Sequence, residues 1–263
     1  MISLDWLWHY RKLILLETLL LGLLEAMYWL PTLLVGWVAA VIIIVALFAW
    51  WIGNARFQYD VGIFAAELLW AVMSGVGFLA FSLFNLWQAQ LSIIIIGIAV
   101  AFIIYCHQKR IDDGQWNLPA INWLGSIDLL ILFVSTLSLM LLVRFYNLSV
   151  FWLMLATVIQ LTLALYLLFW RQDLSVKKFW LYAAVLALIG EEVIWMTSAW
   201  YKNAYFKAFL FLVIYYLFSE LVVHYLRGNL TVRVAFEYIG IAFVLVMGLF
   251  IFDWLFVLAP NIL

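Results

Sequence analysis

Cysteine occurs once in these 263 residues, proline three times, and charged side chains make up only 10%. Each scarcity excludes something. A single thiol, Cys106, cannot close an intrachain disulfide. Pro31, Pro119 and Pro260 all lie outside the middles of the predicted spans, so no proline breaks a span. Soluble globular chains carry about 25% charged and about 45–50% apolar residues. Here 70% are hydrophobic, which removes that class. No basic block is present to hold a nucleic acid, and the net charge is −1. A Gly-rich phosphate loop, a nucleophile elbow and a dinucleotide fingerprint are all missing. Structural zinc takes about four ligands, and the histidines are only His9, His107 and His224. Cys106 beside His107 therefore reads as a plain buried thiol at a helix end. No cofactor is implied.

What fills the space is apolar sequence in long runs. Stretches of 18 or more residues recur along the whole chain, each able to cross a hydrocarbon core of about 30 Å. Barrel strands would show alternating segments of about ten residues instead. The fold class is all-α: a polytopic integral membrane helical bundle. Nine spans are predicted, at about 13–30, 32–52, 61–83, 91–107, 124–145, 149–170, 178–200, 205–226 and 234–258. Residues 13–52 form one apolar stretch that as a single helix would be about 60 Å long. Two spans with a turn at Trp29-Leu30-Pro31-Thr32 fit a bilayer better. The longest connection is expected at 108–123. No soluble domain fits, and the membrane domain covers 13–258.

The chain's start carries Arg11 and Lys12 before an apolar run, as a signal peptide does. That run holds Glu17 and Glu25 and ends in bulky residues, so it reads as a retained first span. Residues 1–12, with Trp6 and Trp8, read as an interfacial segment, and 259–263 as a short external tail.

Orientation follows from the basic residues. With the amino terminus in the cytoplasm, the inner segments hold Arg11, Lys12, Arg56, Lys109, Arg110, Arg171, Lys177, Lys178, Arg227 and Arg233. The outer ones hold Arg144, Lys202 and Lys207. That asymmetry gives N-in, C-out in a cell membrane. Tryptophans cluster near the predicted span ends, where amphipathic rings favour the headgroup region.

The acids are distributed differently. Glu17, Glu25, Glu67, Asp128, Glu191, Glu192, Glu220, Glu237 and Asp253 fall within the spans, and no Lys or Arg sits at comparable depth. A charged carboxylate at a helix centre costs roughly 2.5–3.5 kcal/mol on the insertion scale. Asp128, Glu237 and Asp253 lie near span edges, where capping or contact with the interface explains them. Glu25, Glu67, Glu191, Glu192 and Glu220 lie deeper. Glu191 and Glu192 point about 100° apart on a helix, so at least one is expected to face the bundle, with Gly190 permitting close approach. Glu220 and His224 share a face at i,i+4 and form a plausible proton relay, with Ser219 and Tyr238 as possible partners. Glu67/Trp70 and Glu192/Trp195 each place an acid and an indole on one face, where they can hydrogen-bond. Glu25 with Trp29 repeats the pattern at i,i+4. Such recurrence is compatible with an internal duplication or with chance in an aromatic-rich chain.

Glu191-Glu192 on one span and His224 on the next resemble the CAAX-protease and bacteriocin-processing family of intramembrane metalloproteases. That family pairs Glu-Glu-x-x-x-Arg with Phe-x-x-x-His and a later His. Here Met196 stands at the Arg position and Glu220 at the Phe, and no His follows His224. A second resemblance is to uncharacterised multi-span membrane proteins of small-genome candidate-phylum bacteria. It rests on Glu67/Trp70, Glu192/Trp195 and Glu237-Tyr238, and it implies no activity.

Three readings follow. In the first, the chain is a proton- or cation-linked carrier whose site draws on Glu191, Glu192, Glu220, His224, Glu67 and Glu25, with a proton or small cation as cargo. In the second it is a non-catalytic membrane subunit or scaffold that binds other membrane proteins. In the third it is an intramembrane protease-like enzyme. The lipid bilayer is a partner in all three.

Overall fold

A computed structural model describes residues 15–26, 34–53, 58–81, 86–113, 118–145, 149–172, 174, 179–200 and 204–258. Among them every regular element is helical. In chain order these are α1 (residues 15–26), α2 (Leu34–Gly53), α3 (Gln58–Phe81), α4 (Leu86–Asp113) and α5 (Leu118–Phe145). Then come α6 (Val150–Arg171), α7 (Phe179–Trp200), α8 (Ala204–Leu226) and α9 (Val232–Leu258). Each overlaps one of the predicted spans. Six of them, α4 to α9, hold stretches long and apolar enough to cross a membrane. The interfacial segment, the Trp29–Thr32 turn and the external tail lie outside the described residues.

One connection differs from expectation. The polar run after His107 continues α4 as far as Asp113, and α5 starts at Leu118. Gln, Lys and Arg are good helix formers, so polarity ended the hydrophobic run without ending the helix. Pro119 stands in the first turn of α5, where no intrahelical N–H is required. The earlier start corrects the reading of Asp128. It lies ten residues into α5, so it does not cap the helix, and it is buried, at 6% exposure.

The chain forms two compact units, Met1–Ser138 and Leu139–Leu263, with the division inside α5. In the first unit α3 packs against α2 and α4. Glycine sets two of the close approaches. A Cβ on Gly75 of α3 would stand 2.6 Å from Ile96 of α4, and one on Gly97 of α4 would stand 2.6 Å from Leu21 of α1. Ser138 of α5 donates to the carbonyl oxygens of Val134 and, on α3, Ser74. Small residues and hydroxyls are the usual means of holding helices together where lipid removes the hydrophobic drive.

In the second unit α7 packs between α6 and α8, and α8 packs on α9. Gly190 is the pivot of the first three. A Cβ there would lie 2.6 Å from Leu161 of α6 and 3.2 Å from Phe211 of α8. The α8–α9 corner is built by turn chemistry. Gly228 adopts φ +71, a left-handed conformation that glycine takes without Cβ strain. Asn229 N–H bonds the His224 carbonyl at 2.9 Å and Gly228 N–H bonds that of Tyr225 at 3.0 Å, the paired bonds of a Schellman ending. Thr231 then caps α9 by accepting from Val234 N–H at 3.3 Å.

Candidate functional site

That corner brings the last two turns of α8 against the first two of α9. Tyr238 donates its hydroxyl to Glu220 Oε2 at 3.3 Å and lies 3.2 Å from His224 Nε2. The phenol has one proton to give. With that proton on Glu220, His224 must donate from Nε2 to the Tyr238 oxygen. The i,i+4 acid and imidazole are therefore joined through a hydroxyl from the next helix rather than directly. Tyr216, one turn before Glu220, stacks edge-on against Tyr238 with centroids 6.1 Å apart, and the His224 ring lies 5.5 Å from it. All three linked side chains are half-buried. His224 Nδ1 is buried and has no hydrogen-bond partner among the described residues. A proton accepted there can leave from Nε2 to the phenol oxygen while the phenol proton passes to Glu220. The 3.3 Å Tyr238–Glu220 distance exceeds the usual 2.7–2.8 Å for O–H···O bonds, and the 3.2 Å His224–Tyr238 distance is at the long end for N–H···O, so transfer requires the helices to close slightly. Ser219 is not part of this chain, because its hydroxyl turns back to the Tyr216 carbonyl at 3.0 Å.

The other predicted residues occupy three further places. On α7, Glu191 is half-buried and Glu192 exposed, with Trp195 on the same exposed face. The Gly190–Phe211 contact sets Glu191 close to the level of Phe211. Glu220 lies nine residues further along α8, about 13 Å at 1.5 Å per residue. The acid pair and the Glu220 chain thus sit at different levels of the same unit.

In the first unit Glu67 and His107 meet across α3 and α4. Glu67 Oε2 and His107 Nε2 are 2.8 Å apart, and the residues are 0% and 4% exposed. The Phe64 ring covers the imidazole at a centroid distance of 5.0 Å. Trp70 does not serve Glu67 as the sequence pattern suggested. Its Nε1 is buried without a hydrogen-bond partner among the described residues. Glu25 accepts a hydrogen bond from Gln90 Nε2 of α4 at 2.7 Å. Trp29, its expected partner, lies outside the described residues.

Two of these partners were missed by sequence reasoning. In the sequence His107 reads as a helix-end residue, yet it closes the fourth span at the membrane side from which Glu67 lies six residues in on the third. That shared side was the available signal. Gln90 sits just before the predicted fourth span, and no signal marked it. Arg171 ends α6 and is buried, at 2% exposure.

Among the described residues no three His, Cys, Asp or Glu side chains gather where they would hold a metal ion. No protein-family model, curated protein or solved structure matches the chain.

Proposed function

We propose that the chain is a proton-linked carrier of the cell membrane, threading the bilayer nine times with its amino terminus inside, and that Glu220, Tyr238 and His224 conduct its protons. The observation that carries this reading is the acid–phenol–imidazole chain across α8 and α9. Ionisable groups at membrane depth are rare and costly, and proton pathways are among their commonest uses. In the N-in orientation His224 is the group nearest the cytoplasm. A proton taken up at its unpartnered, buried Nδ1 crosses Tyr238 and reaches Glu220 about 6 Å deeper along the helix axis. Glu191 and Glu192 on α7 extend the acidic path toward the opposite face.

The test is proteoliposome flux driven by a pH gradient. Native chain should dissipate the gradient. Glu220→Gln should lower the rate at least about tenfold, a change of about 1.4 kcal/mol in barrier. Glu191→Gln/Glu192→Gln should lower it less. Native flux at the level of empty liposomes overturns the reading.

A second reading has its own support in α9. Only 6% of its Val232–Ile251 stretch is buried, against 28–44% in the other five long apolar helices. A membrane subunit whose last helix docks on a partner would have this face. Native mass spectrometry from lipid nanodiscs separates the two, since a stable extra chain is expected only of the subunit.

A further inference from the structure

Between α1 and α4 the first unit holds an open groove of about 840 Å³, within the range of small-molecule sites, about 300–1,000 Å³. Its floor is kept low by small residues. Gly22, Gly97 and Ala101 line it, and a Cβ on Gly22 would meet nothing within 4 Å. The walls are chiefly apolar, yet Glu17 and Glu25 both face in. They share one side of α1 at i and i+8, about 12 Å apart along the axis. Among the described residues no Lys, Arg or His lines the groove. Glu25 is held by Gln90. Glu17 makes no hydrogen bond or ion pair among the described residues.

The charge and the shape together restrict the occupant. An acyl chain would satisfy the walls and leave both carboxylates in a medium that penalises them. An anionic lipid would be repelled. A bare divalent cation takes six or more oxygens gathered at one point, which two acids 12 Å apart do not provide. A cation with an apolar body meets both demands. Aromatic rings stand at the end of the groove away from Gln90. Phe102 and Tyr105 line it, and Trp123 of α5 meets Phe102 at 6.5 Å. Ring faces attract organic cations where water is scarce.

We propose that the α1–α4 groove is a binding site for a lipophilic organic monocation, with Glu17 as the charge partner and Phe102 and Tyr105 as the aromatic wall. The groove is built by residues of the first unit and the Glu220 chain by residues of the second, and occupation of the groove does not require that chain to move protons.

The probe is tetraphenylphosphonium, measured by equilibrium binding to the full chain in neutral-lipid nanodiscs. Tetraphenylborate, which has the same four rings and the opposite charge, is the comparator. Protein-dependent, saturable binding is expected for the phosphonium and not for the borate. Glu17→Gln should weaken it about tenfold or more. Gly22→Leu adds a side chain into open space and should abolish binding while helix content and thermal transition stay at native values. Equal binding of both ions, no saturable phosphonium binding, or binding unchanged in Gly22→Leu overturns the proposal. The last two results are also what a groove closed by another segment of the chain would give. Binding retained in a chain that dissipates no pH gradient would remove the carrier reading and leave this one standing.

Discussion

The 2.8 Å contact between Glu67 and His107 is short enough to be charge-assisted, a class typically found at about 2.7–2.9 Å. Its environment makes the pair sensitive. Removing one member leaves the other buried without its partner, which in soluble proteins costs about 3–5 kcal/mol for an ion pair. Neutral hydrogen bonds between membrane helices average only about 0.6 kcal/mol. A double-mutant cycle with Glu67→Gln and His107→Gln, read by unfolding in mild detergent, should give a coupling of about 1.5–3 kcal/mol. A coupling near the neutral average would show that the pair carries no charge. At this scale the sequence was only half legible. Acids were conspicuous because hydrocarbon penalises them. Two of their partners were not, because Gln90 and His107 are ordinary residues near helix ends, chosen by helix pairing rather than by local pattern. The i,i+4 spacing of Glu220 and His224 was visible and Tyr238 was expected beside them; that its hydroxyl bridges the two was not.

At the scale of elements, a few glycines set the closest helix approaches. Gly190 was legible as a site of close approach, since a residue without a Cβ inside an apolar run has few other uses. The contact with Leu161 and Phe211 bears that out. Gly190→Val should destabilise the α6–α7–α8 group by about 1–3 kcal/mol through overpacking. Adding Leu161→Ala should return part of the loss by opening space at the 2.6 Å contact. Thermal unfolding of the two variants checks this, and a Gly190→Val chain as stable as native would contradict it. Helix ends were less legible than helix existence. Hydropathy reports where lipid stops, whereas α4 and α5 extend beyond that point because Gln108-Lys109-Arg110 and Pro119 suit a helix outside the bilayer or in its first turn. The α8–α9 corner shows the opposite case. Gly228 and Thr231 stop and restart the helices within five residues, and the relay depends on that tightness.

For the whole molecule, composition decided the class and the helices agree with it. Threading rests on the distribution of Lys and Arg and has its own test. The single cysteine, Cys106, is buried, so a Cys106→Ser background is suited to labelling. In intact cells or right-side-out vesicles a membrane-impermeant maleimide should label Lys202→Cys from outside. Asn229→Cys should react only after the membrane is opened. The reverse pattern would invert the orientation and with it the direction assigned to the relay. The proposed proton path lies in the second unit.

Tyr238→Phe addresses that path directly, because it removes one oxygen and leaves the ring contacts to Tyr216 and His224 in place. Proton flux into pyranine-loaded proteoliposomes should fall at least about tenfold, with native helix content and thermal stability. Flux equal to the native rate in that variant would contradict the relay, since protons would then be crossing without the hydroxyl that links His224 to Glu220.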